Sequence, residues 1–315
     1  MKTRLEALAE TLGRLLVPLT WANLVANIGI VVTGGAVRLT DSGLGCPDWP
    51  TCDADRWTNH PELGLHGYIE FGNRLLTYVL AVIAIACWVA ARRRRAEHPH
   101  AVWLATVVAL GVPFQAVIGG ITVLTDLNPW VVSLHLLLSM AMIAVCVALV
   151  DHVSGPQRPA AGRTASRTTL AAFVVGWVVL YLGTVVTGSG PHAGDAEAPR
   201  NGLDSQFLSH VHAWSVYVLI GLTVLLCWLA RRTAHAVLLR AALLLLAVEA
   251  AQGVIGFWQY FTDLPELLVG VHMLGAALTS AALAWAVVAA RGRAASAPED
   301  AAAGPSAEPL GMLSR

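Results

Sequence analysis

The chain has 315 residues, 56% of them hydrophobic and 13% charged, with no net charge at pH 7 and a mean hydropathy of +0.64. That is far more apolar surface than a soluble core can use, so a soluble globular enzyme is excluded and an integral membrane protein is expected. The lipid bilayer is therefore an expected partner, and nucleic acid is not.

Apolar stretches long enough to cross a ~30 Å hydrocarbon layer, roughly 20 residues each, lie near 15–37, 66–90, 101–123, 131–151, 168–188, 206–230, 236–258 and 268–290. The predicted fold is all-α, with eight transmembrane helices in two pseudo-symmetric four-helix halves. The first apolar run reaches residue 37 without a small-residue cleavage site, so it reads as a helix and not as a removable signal. The N-terminal half occupies 1–151 and the C-terminal half 169–293. Between them, 152–168 carries Gly155, Pro156, Pro159, Gly162 and Ser166 and reads as a polar cytoplasmic linker. The tail 294–315, rich in Ala, Ser, Pro and Glu, is expected to be disordered.

Basic residues give the orientation. Lys2, Arg4, Arg14, the run Arg92 to Arg95, Arg158, Arg163, Arg167, Arg231, Arg232, Arg291 and Arg293 fall on one set of span ends, which predicts cytoplasmic termini. The opposite loops carry mostly acids, with Arg38, Arg56 and Arg200 as their strong bases. Among the cysteines, Cys87, Cys146 and Cys227 lie inside apolar spans and read as buried packing residues. Cys46 and Cys52 share the first outer loop, on the oxidising face, and predict a disulfide that is either a loop staple or a redox-active pair.

Residues 112–135 and 249–272 are two copies of one element. Gln115, Gly119, Thr125-Asp126-Leu127 and His135 recur at the same offsets as Gln252, Gly256, Thr262-Asp263-Leu264 and His272. Internal repetition of this kind marks membrane proteins that build a site between related halves. Each histidine sits about 8 Å inside the outer end of its helix, and ionisable groups at such depth are functional candidates. The glutamines read as helix-to-helix hydrogen bonds and the Thr-Asp-Leu elements as turns.

The second span of each half supplies the facing groups. Aligning Tyr78-Val79-Leu80 with Tyr217-Val218-Leu219 sets Asn73 opposite His212 and Glu70 opposite Ser209. The C-terminal half then offers His212 and His272, two imidazoles suited to six-coordinate haem iron in electron transfer. The N-terminal half offers His135 facing Asn73, a poorer ligand, with Glu70 a turn away; one site reads as saturated and the other as open. Glu70 also has a plainer role available, neutralising Arg74 four residues on. His66 is a weaker alternative ligand near the helix mouth, and His210 points about 200° away from His212. His60, His98, His100, His152 and His235 are expected to be solvated.

The first outer loop, Arg38 to Cys52 (RLTDSGLGCPDWPTC), resembles the signature of the haem A synthases, membrane enzymes that convert haem O to haem A. Ile69 to Arg74, Thr187 to Asp195 and the two histidine repeats carry the resemblance over about residues 20 to 290. It implies that His212 and His272 bind haem b, that the N-terminal half receives haem O at His135, and that Glu70 matches the family's essential carboxylate. Cys46 and Cys52 match its outer-loop pair. The implied chemistry is oxidation of a ring methyl to a formyl group, with electrons leaving through haem b. Many members carry histidine where this chain has Asn73, so His135 alone, His66 or water completes that site. A second outer-loop cysteine pair is absent from 189–204. Arg74 and His192 are candidates, by charge, for holding propionates. The implied partners are the enzyme that supplies haem O and an electron acceptor such as a quinone; a homo-oligomer is left open. A bacterial cell membrane is the expected location. The alternatives are a quinol-linked electron-transfer cytochrome b without haem-modifying activity, and a transporter.

Overall fold

The computed structural model describes residues 2–54 and 56–293; the expected disordered tail lies outside the described residues. The helices in chain order are α1 (Lys2–Arg14), α2 (Leu16–Leu39), α3 (Gly64–Arg93, entered through a 3-10 turn at Pro61–Leu63), α4 (Pro99–Leu124), α5 (Pro129–Ser154), α6 (Arg163–Ser189), α7 (Ser205–Arg232), α8 (Ala236–Phe261) and α9 (Glu266–Arg291). Eight helices among the described residues, α2 to α9, are long and apolar enough to cross a membrane. The molecule is a multi-pass membrane protein. Each helix overshoots its apolar core by a few residues, because backbone hydrogen bonds continue into the polar flanks until a proline, glycine or capping side chain stops them. Asp204, for example, starts α7 by accepting from the backbone N–H groups of Gln206 and Phe207.

One helix was not foreseen. α1 is too polar to span, and it packs against the C-terminal end of α3, where Arg94 Nε donates to the Gly13 carbonyl.

The helices form two rings of four. In the first, α2 touches α3, α3 touches α4, α4 touches α5 and α5 returns to α2; in the second, α6, α7, α8 and α9 close in the same order. Diagonal partners α3 and α5, and likewise α7 and α9, do not meet along their backbones. Between the rings, α5 meets α9, while α2 meets α9 and α5 meets α6. Exchanging α2 with α6 and α5 with α9 leaves this pairing unchanged, which fits two pseudo-symmetric halves. The central contact uses small side chains, as close helix packing in lipid requires: Ala277, Ser280 and Ala284 of α9 are buried, and Ser280 Oγ donates to the Met140 carbonyl of α5 at 2.8 Å.

The segment between the halves is shorter and more fixed than its polarity suggests. Helix α5 runs to Ser154 and α6 begins at Arg163. Arg158 is buried, donating to Asp151 Oδ2 and to the Val288 carbonyl, both at 2.7 Å, so the linker is tied to the inner end of α9. Two of the histidines expected in solvent are also held. His235 is buried and caps α8 by accepting from the Leu238 N–H, and its Nε2 faces the Pro159 carbonyl at 3.0 Å. His60, largely covered, pairs with Asp53 at 3.0 Å. The rings of His98 and His100 both approach that of His152, at 6.0 and 5.6 Å between centroids. Cys87, Cys146 and Cys227 are free and buried as expected.

The repeated Thr-Asp-Leu turns share their backbone conformation and their leucine hydrogen bond. Asp126 and Leu127 have φ of 50° and 57°, Asp263 and Leu264 56° and 57°. In both turns the leucine N–H returns to the carbonyl five residues back, Thr122 or Gln259. The left-handed region costs an L-residue about 1–2 kcal/mol, and Leu127 offsets that cost by packing among Ala193, Ala198 and Leu44. Replacing exposed Asp126 by Gly should therefore raise the thermal midpoint in detergent slightly. Leu127→Gly should lower it, because a buried leucine lost costs about 2–5 kcal/mol. If both changes moved the midpoint in one direction, this division between strain and packing would be wrong.

Candidate functional site

Three histidines stand on a shared local design. A Cβ added to Gly119 of α4 would lie 3.3 Å from His135 Cε1, one on Gly256 of α8 3.4 Å from His272 Cε1, and one on Gly183 of α6 3.3 Å from His212 Cε1. Each ring therefore leans on a glycine of a neighbouring helix, where a larger residue would displace it. Behind two of them, Gln115 Nε2 donates to the His135 carbonyl at 3.2 Å and Gln252 Nε2 to the His272 carbonyl at 3.0 Å. The expected helix-to-helix role of both glutamines is thereby met.

All three rings are half-buried, yet Nδ1 of His135, His212 and His272 is in each case buried without a hydrogen-bond partner. An unsatisfied polar nitrogen in an apolar interior is costly. His212 on α7 and His272 on α9 occupy diagonal helices and lie within electrostatic reach of one another. His210 points elsewhere, its ring 6.2 Å from that of Tyr260. Among the described residues no three His, Cys, Asp or Glu side chains converge as a metal-ion cluster. Two imidazoles on diagonal helices are donors that could hold a planar metal macrocycle, which would supply the rest of its own ligands.

The diagonal of the first half is different. Asn73 on α3 stands where α7 has His212, and Thr33 Oγ1 donates to its Oδ1 at 2.8 Å. The sequence Val31-Val32-Thr33-Gly34 repeats as Val185-Val186-Thr187-Gly188, which aligns Gly29 with Gly183. A Cβ on Gly29 would meet nothing within 4 Å, so the recess that seats His212 in one half is open in the other. His66 is exposed, with Nδ1 3.0 Å from Ser42 Oγ.

Glu70 is 5% exposed and lies one turn from Asn73. Its Oε2 accepts from the Cys46 N–H at 2.6 Å, and its Oε1 accepts from Arg74 Nε and Nη2 at 3.1 and 2.5 Å. Arg74 also donates through Nη1 to the Asp48 and Thr51 carbonyls and through Nη2 to the Cys46 carbonyl, each at 2.9 Å. That uses all five guanidinium donors. Cys46 and Cys52 are joined as a disulfide. Arg74 is thus the clamp between α3, Glu70 and the disulfide loop. The corresponding Ser209 only bonds its own helix, at the Ser205 carbonyl. His192, also expected near anionic groups, sets Nε2 2.9 Å from the Leu264 carbonyl.

Two residues escaped sequence reasoning. Arg38, read there only as an outer-loop base, donates to the His192 and Thr187 carbonyls at 2.6 and 3.0 Å and so joins α2 to the loop after α6. Glu249 is 3% exposed in α8. Its signal was plain, a carboxylate inside an apolar span three residues before a repeated glutamine.

A family model described as COX15-CtaA, cytochrome oxidase assembly protein, matches residues 18–201. The chain belongs to that family. Within the COX15-CtaA family, it is similar to the Heme A synthase of Lysinibacillus sphaericus (strain C3-41), 32% identical over 124 residues, 38% of this chain and 39% of the relative. The Heme A synthase of Geobacillus thermodenitrificans is 32% identical over 146 residues, 45% of each chain. That of Bacillus cereus (strain 03BB102) is 29% identical over 121 residues, 38% of each. The chain thus covers less than half the length of each of these curated relatives.

Removing a partner from a buried ion pair costs about 3–5 kcal/mol, so Arg74→Met should lower the thermal midpoint and expose the disulfide loop to proteolysis. Adding Glu70→Gln should cost less in the Arg74→Met background than alone, since the two share one interaction. Strictly additive losses would show that the clamp is not a coupled unit.

Proposed function

We propose that this protein is a haem A synthase, which oxidises the ring methyl of haem O to a formyl group. Its similarity to the Heme A synthases described above supports the reading. The observation that carries it is the asymmetry between the halves: two imidazoles on the α7/α9 diagonal, but one imidazole and an amide beside a held carboxylate on the α3/α5 diagonal. A pure electron-transfer cytochrome has no use for that difference.

In this reading His135 holds the iron of the substrate haem O, and Asn73 leaves the opposite face open. Glu70 is the catalytic carboxylate. Arg74 positions it and occupies Oε1, while the Cys46 N–H takes one lone pair of Oε2. The other lone pair of Oε2 remains to accept a proton from the reacting group or from water. The loop between Cys46 and Cys52 covers this end of α3 and limits access of bulk water. His212 and His272 hold haem b, which when bound supplies a one-electron relay to an acceptor of quinone type. Haem O arrives through the bilayer from the enzyme that makes it. The excess of arginine on the inner span ends supports cytoplasmic termini in a bacterial cell membrane.

Haems extracted after coexpression with a haem O source should include haem A or a hydroxylated intermediate beside haem b; haem b alone, with haem O demonstrably present, would overturn the assignment. Glu70→Gln keeps the shape of the clamp and should reduce haem A yield at least about 10²-fold, with haem b content unchanged. Wild-type yield from this variant would remove Glu70 from the chemistry. Asn73→His supplies the missing imidazole, so the substrate haem should pass from high-spin to low-spin in electron paramagnetic resonance. A wild-type protein already wholly low-spin would contradict single ligation by His135.

A further inference from the structure

Glu249 sits halfway along α8, about 20 Å from its inner end at 1.5 Å per residue, and only 3% of it is exposed. Thr223 Oγ1 of α7, itself fully buried, donates to Oε1 at 2.8 Å, and Oε2 is buried without a partner. The scaffold does not require a carboxyl here. The repeat that aligns Gln115 with Gln252 places buried Val112 at the equivalent position of α4. A carboxyl present in one half alone serves what that half alone holds.

Its surroundings connect in two directions. Towards the outer side, Gln252 lies one turn further along α8 and donates to the His272 carbonyl. Towards the inner side, Thr223, Cys227 and Arg231 recur every four residues on one face of α7, and Cys227 is within electrostatic reach of both Glu249 and Arg231. Few other charges can interfere. Helix α8 packs on α7 and α9. From α9 no ionisable group lies between His272 and Arg291, from α7 only Tyr217 and Cys227 lie between His212 and Arg231, and α8 itself adds Arg240 two to three turns inward and Tyr260 at its outer end.

We propose that Glu249 is a redox-linked proton site: it takes up one proton from the inner face when the centre held by His212 and His272 takes up one electron. The electron comes from substrate oxidation in the first half, or from dithionite in a titration. The proton comes from water at the inner face and forms an O–H bond at Oε2, and reoxidation releases it. Electron and proton together leave the buried net charge unchanged, which is what a low-dielectric interior favours. The inference rests on the assignment of His212 and His272 to haem b.

The test is a potentiometric titration of the haem b absorbance in the purified full-length protein between pH 5 and pH 9. The wild-type midpoint should fall with rising pH, approaching 59 mV per unit, the one-electron equivalent of a tenfold change. Glu249→Gln should abolish the slope and hold the midpoint near the wild-type low-pH value; Glu249→Asp should retain a slope. A reduced-minus-oxidised infrared spectrum should contain a protonated-carboxyl band that is missing in Glu249→Gln. With haem b bound, a flat wild-type midpoint, or a slope that survives in Glu249→Gln, overturns the proposal and leaves the haem assignment standing. A protein without haem b overturns both.

Discussion

Inside a bilayer a polar group without a partner costs several kcal/mol, and nearly everything in this chain follows from how that constraint is met or left unmet. Many threonine and serine hydroxyls in the spans return to carbonyls of their own helices, as Thr187 does to Gly183 and Ser139 to His135, and others cross to a neighbour, as Ser280 does to Met140. Glutamines cross to a neighbouring helix. Arg74 and Arg38 bury their charge only by donating to carbonyls and, for Arg74, to a carboxylate. Against this background the buried groups left without a partner stand out, among them Nδ1 of His135, His212 and His272 and Oε2 of Glu249, beside Gln115 Oε1, Gln259 Oε1, Trp177 Nε1 and His152 Nε2.

The α4–α5 and α8–α9 repeats agree in the glutamine bonds to the histidine carbonyls, in their glycine seats and in the φ values of their turns, which fits two halves of one design. Divergence lies on α3 and α7. There Asn73 replaces an imidazole and Glu70 with Arg74 replaces an inert Ser209, while α8 alone acquires Glu249. These few side chains change what each diagonal can do without altering how its helices pack.

Much of this was legible from the residues because membrane proteins write their constraints openly. Span length is set by the hydrocarbon thickness, and an ionisable residue inside a span is rare enough to stand out. That is why His135, His212, His272 and Glu70 could be named, and why a match over residues 18–201 agrees with the motif in the first outer loop. What escaped depends on contacts between segments distant in sequence. No local pattern says that three of the five donors of Arg74 are taken by carbonyls of a loop 23 to 28 residues earlier, or that Arg158 is held by Asp151 and the Val288 carbonyl and His235 faces the Pro159 carbonyl of the linker. Glu249 is the exception, a carboxylate inside an apolar span that the sequence itself displays.

The burial of α9 has a consequence for how the chain assembles. It is the most enclosed of the eight spans and touches α2 and α5 as well as its own neighbours α6 and α8. It is also the last described span to leave the ribosome. Until it inserts, the ring of the first half can close on itself, but the faces of α2 and α5 that α9 covers remain open to lipid. The two rings therefore seal against each other only once the last described span is in place, and the interface between the halves is completed after the helices of the first are already packed.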